Sequence, residues 1–118
     1  MNFELGRFFE GHLHEVTQML RVLHDFCTGQ GADVNAWVDG RQLVFGTGTP
    51  HESAGFLRCL PHGVSVTISF PRGADLNDPA GRAKGVLGSR TKLTIRTTAD
   101  LDAYVRRMID AAYVLDAG

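Results

Sequence analysis

The stretch VSVTISF, residues 64–70, separates Val64, Val66, Ile68 and Phe70 one by one with Ser65, Thr67 and Ser69. Successive side chains of a strand point to opposite faces, so this run is a ribbon with one apolar side and one hydroxyl side. Such a ribbon belongs in an antiparallel sheet with one face on a core and one face in water. The rest of the chain must therefore supply partner strands and an apolar layer to cover the dry face.

Partner strands are readable on both sides. Val34, Ala36 and Val38 alternate with Asn35 and Trp37, and Asp39-Gly40 is a hairpin signal that returns the chain through Arg41 to Phe45. Residues 46–53 form a polar loop, Ala54 to Leu60 a third strand, and Pro61-His62-Gly63 a tight turn into the 64–70 ribbon. Leu93 and Ile95 alternate with Thr94 and Arg96 in a fifth strand. The covering layer comes from the ends of the chain. From Phe9 to Thr28, Leu13, Val16, Leu20, Leu23 and Cys27 recur at spacings of three and four, widened by Met19 and Phe26, and Gly29 and Gly31 end the helix. A second helix starts at Thr98 or Thr97, with Asp100 and Asp102 near its positive end, and carries Leu101, Val105, Met108, Ala112 and Leu115 on one stripe. The order α-β-β-β-β-β-α with short connections predicts a two-layer α+β sandwich, both helices on one face of a five-stranded antiparallel sheet. The 118 residues make one domain.

Composition narrows the function classes. A net charge of −1 lacks the strongly basic footprint of a nucleic-acid binder, and no apolar run is long enough to cross a bilayer. Cys27 and Cys59 form no C-x-x-C pair and read as reduced core residues, which with the acidic N-terminus predicts a cytoplasmic protein. No motif calls for a cofactor. The sheet's edges and wet face offer a place for a homodimer.

One segment is chemically uneven. Residues 71–92 hold Arg72, Arg82, Lys84, Arg90 and Lys92 against Asp75 and Asp78, a local excess of +3, together with four glycines. It is not a P-loop, which needs a Gly-Lys pair ahead of a helix, and it is not a dinucleotide fingerprint. Asp78-Pro79 reads as the start of one short helical turn ended by Gly85, so the segment is either a structured crossover or an anion site. In the second reading Arg72, Arg82, Lys84 and Arg90 contact an anionic small molecule or an acidic protein surface. Trp37 is either a ligand-stacking platform or a core residue. Among the histidines, His12, His14 and His24 do not share a helix face within reach of one ion, and only His51 with His62 offers a pocket, should two strand ends meet. No serine has a nucleophile elbow around it.

The run Phe70-Pro71-Arg72-Gly73-Ala74-Asp75-Leu76, then Asp78-Pro79-Ala80-Gly81, Gly85, Gly88-Ser89-Arg90, Ile95 and Asp100-Leu101 resembles the YdhG-like family of uncharacterised bacterial domains, over residues 56–115. That family is grouped with the frataxin-like fold and labelled an iron-chaperone relative. The resemblance implies an antiparallel sheet with flanking helices and, through the label, iron or other metal handling. The chain departs from the family where Trp37 is followed by Val38-Asp39-Gly40 without a proline, and Glu10, Glu15 and Asp25 are too sparse for a frataxin-like acidic ridge. Three functions are thus expected in order: a non-enzymatic binding or adaptor domain using the 71–92 segment, a metal-handling protein, and an enzyme with a His51/His62 pocket.

Overall fold

The computed structural model describes residues 3–72 and 92–118. Helices α1 (Phe3–Phe8) and α2 (His14–Thr28) precede strands β1 (Asn35–Asp39), β2 (Gln42–Gly46), β3 (Leu57–His62), β4 (Ser65–Ser69) and β5 (Lys92–Ile95). A 3-10 turn at Thr98–Asp100 leads into α3 (Ala103–Ala117). The strands form one five-stranded antiparallel meander in chain order, as the alternating patterns predict.

Register sorts the side chains onto two faces. Leu43, Phe45, Leu57, Cys59, Val66, Ile68, Leu93 and Ile95 point to one side, where they pack with Val16, Met19, Leu20, Leu23 and Cys27 of α2 and Val105, Met108, Ile109 and Ala112 of α3. Each large aliphatic side chain removed from water there contributes about 1.5–3 kcal/mol before chain entropy is set against it. Both cysteines are free and buried in this core, and burial pushes both thiols well above their ordinary range, so they stay protonated packing groups.

Four local expectations need correction. The first helix does not run unbroken from Phe9: Gly11, at φ 79°, breaks the chain between α1 and α2, and Leu13, expected on the buried stripe, is the residue before α2 and is 53% exposed. Pro61 and His62 are not turn residues but the end of β3, and the turn is Gly63-Val64. β2 pairs with β3 only as far as Cys59, so the missing Pro61 N–H interrupts no ladder. The third strand starts at Leu57 rather than Ala54. The last helix starts at Ala103, capped by Asp102, which accepts from Val105 N at 3.0 Å. Ahead of it the Asp100 carboxylate turns back to accept from Arg96 N and Thr97 N, which closes the separate 3-10 turn.

Three hydrogen-bonded residue pairs tie the end of α3 to segments that flank the strands. Tyr113 donates to Asp33 at 2.8 Å, Arg72 donates to Leu115 O at 2.8 Å, and Asp116 accepts from Thr47 N at 2.8 Å. The hydrogen bond to Asp33 raises the Tyr113 pKa, because losing the phenolic proton would break it.

Candidate binding surface

The face of the sheet away from the helices is divided in two. Its first half carries Trp37 and Val44, paired across β1 and β2, and both are buried although neither belongs to the helix-facing core. The chain between β2 and β3 covers them. Gly46 sits so close to the indole that a Cβ there would lie 2.9 Å from Trp37 Cη2, and a Cβ on Gly55 would lie 2.6 Å from Val44 Cγ1. His51 takes φ 67° at the crest of this loop and brings its ring to 6.3 Å from the Trp37 ring. Phe56 N donates to Phe45 O at 2.7 Å, and Asn35 donates to Gly48 O at 3.0 Å, which pins both flanks.

Arg58 marks the seam. Its guanidinium donates to Gln42 Oε1 at 2.8 Å and Ala54 O at 2.8 Å and forms an ion pair with Asp39, so its charge is spent within the fold.

Beyond Arg58 no segment among the described residues covers the face. Leu60, His62, Thr67, Lys92, Leu93, Thr94 and Arg96 line a broad depression of about 740 Å³. Lys92, Thr94 and Arg96 fall at alternate positions of β5 and its continuation, opposite Ser69 and Thr67 of β4. Among the described residues no carboxylate lines the depression, and neither Lys92 nor Arg96 has an ion pair. His62 also lines the adjoining hollow with Phe8, His12, Gly40, Arg41, Pro61 and Gly63, which extends the positive surface across the hairpin ends. The floor is therefore hydroxyl and methyl, and the rim is cationic.

The structure distributes the expected site residues otherwise than expected. Arg82, Lys84 and Arg90, with the Asp78-Pro79 turn, lie outside the described residues. Arg72 is engaged with the end of α3. Trp37 is 2% exposed, so in this conformation its ring faces are taken by the protein and not offered to a ligand. His51 and His62 do not share a pocket: one lies on Trp37, the other ends β3 beside Gly63, roughly 13 Å further along the strand direction at 3.3 Å per residue. Among the described residues no three of His, Cys, Asp and Glu gather within reach of one metal ion. Arg96 is a functional candidate outside the expected 71–92 segment, and Lys92 is counted in that segment's charge without being named among its contact residues. Their signal is the period of two along β5, which puts both cations on the wet face of a sheet edge.

No protein-family model, curated protein or solved structure matches the chain.

Proposed function

We propose that this protein is a non-catalytic binding domain that takes an anionic partner on the open half of its outer sheet face. The observation that carries the reading is a depression rimmed by Lys92, Arg96 and His62 with no carboxylate in its lining among the described residues, beside a seam where Arg58 has its own acidic partner. Within one face, one cation is neutralised internally, and two are exposed with no ion pair among the described residues. Unneutralised cations around a hydroxyl floor attract carboxylates or phosphates and lose that attraction as salt screens them. Arg72 and the cations at 82, 84 and 90 carry none of this reading.

The test measures binding of a fluorescent polyglutamate peptide and of inorganic tripolyphosphate at low salt. Two exposed ion pairs at about 0.2–1 kcal/mol each predict that Lys92→Ala with Arg96→Ala weakens binding roughly two- to thirtyfold, and that added salt removes the difference. Equal affinity of the double variant and the native chain for both probes would sink the reading.

A further inference from the structure

Resting on that reading, we infer that the partner is an acidic segment in extended conformation, which adds to the free edge of β5 as a sixth strand. Among the described residues the sheet order ends at β5, and β5 pairs only with β4. Its main-chain direction is set by the next residues. Arg96 N donates to the Asp100 carboxylate and not into the β4 ladder. Amides two apart in a strand point the same way, so the main-chain groups of Thr94 and Lys92 also face away from β4, while Leu93 and Ile95 bond inward. A bare edge of this kind is a template for an incoming strand.

The side chains fit the same partner. Leu93 and Ile95 are 8% and 2% exposed and anchor β5 in the core. An added strand would place every second side chain above the outer face, next to Lys92, Thr94 and Arg96. Acidic residues at those alternate positions meet both cations. Residues of the opposite parity continue the apolar side of Leu93 and Ile95. The other edge does not fit this partner: β1 contains no cation, and its Asp39 presents a carboxylate already held by Arg58. A single-stranded nucleic acid is disfavoured because among the described residues the lining of the open half contains no Phe, Tyr or Trp, and His62 is its one ring on which a base could stack.

The experiment uses the full chain, labelled for amide exchange by NMR, and an extended peptide of about eight residues alternating Glu and Val, a usual strand length. The expected result is slowed exchange at the Thr94 and Lys92 amides on addition of the peptide. A peptide of the same charge with proline at alternate positions leaves those amides unchanged. Thr94→Pro removes an outward donor without touching the β4 ladder, so it abolishes peptide binding while the melting transition survives. If that variant does not fold, amide exchange in the native chain still decides. Should the peptide bind in a Lys92- and Arg96-dependent way while the Thr94 amide stays unprotected, edge addition is wrong and the anionic reading stands. Binding of tripolyphosphate alone has the same meaning. Silence with the peptide, polyglutamate and tripolyphosphate overturns both.

Discussion

Trp37 and Leu60 lie on the same face of one sheet, two strands apart, and their surroundings differ in kind. Over Trp37 and Val44 the chain from Gly46 to Phe56 closes down, with glycines where a side chain would collide and hydrogen bonds at both flanks. Around Leu60 lie Thr67, Thr94, Lys92 and Arg96, and among the described residues no segment of chain crosses them. A sheet face can be kept out of water by building a cover, or left in water by facing it with hydroxyls and charges. This molecule does both within five strands. The contrast teaches that the open half is composed for solvent or a partner, since the covered half shows what burial of this face requires.

If that contrast is real, the largest effect comes from emptying the covered half. Trp37→Ala leaves a void between β1 and the loop and is expected to cost about 3–5 kcal/mol of unfolding free energy, as for buried aromatic truncations generally. Denaturant titration measures it. A loss below about 1 kcal/mol would mean that the loop rests on the face without closing it.

A smaller effect separates closure from backbone strain. Gly55 and Gly63 both have positive φ, 78° and 58°, so alanine at either is strained by roughly 1–2 kcal/mol. Only at Gly55 does the added methyl also meet atoms, Phe45 O at 2.6 Å and Val44 Cγ1 at 2.6 Å, whereas nothing lies within 4 Å of it at Gly63. Gly55→Ala is therefore expected to cost at least about 1 kcal/mol more than Gly63→Ala by the same titration, the low end of overpacking penalties. Equal losses would show that the loop moves aside freely.

The helix-facing layer was legible from periodicity alone, because alternation in 66–70 and the three-and-four spacing in 16–27 each have one reading that buries the apolar set, while Val64, expected on the same dry side, lies in the turn and is exposed. The covered half was not. Leu43-Val44-Phe45 is a continuous apolar run, the mark of a strand dry on both faces, yet the loop that dries its second face is polar and shows nothing but glycines. Trp37 is undecidable for the same reason: period two puts it on the wet face, and only the long-range return of Gly46 and Gly55 buries it. Leu13 failed through local geometry, since Gly11 ends the helical path just before it. The cations of β5 were visible, but the denser cluster at 72–90 drew the site assignment away from them.

The smallest effect is the most specific to the open half. Leu60 is half-buried on β3, opposite Thr67, and among the described residues it is the one apolar side chain pointing outward from the middle of the depression. In a face built for burial, replacing it with a hydroxyl-bearing residue would be costly, because the hydroxyl would need a partner there. In a face built for water it costs little: threonine favours strands, and the new hydroxyl joins those of Thr67 and Thr94. Leu60→Thr is thus expected to change stability by no more than about 0.5 kcal/mol, the range of ordinary surface substitutions. Binding of polyglutamate to the Lys92 and Arg96 rim should persist, since neither charge is touched. A loss near that of Trp37→Ala would place a cover over this half as well and would end the distinction between the two.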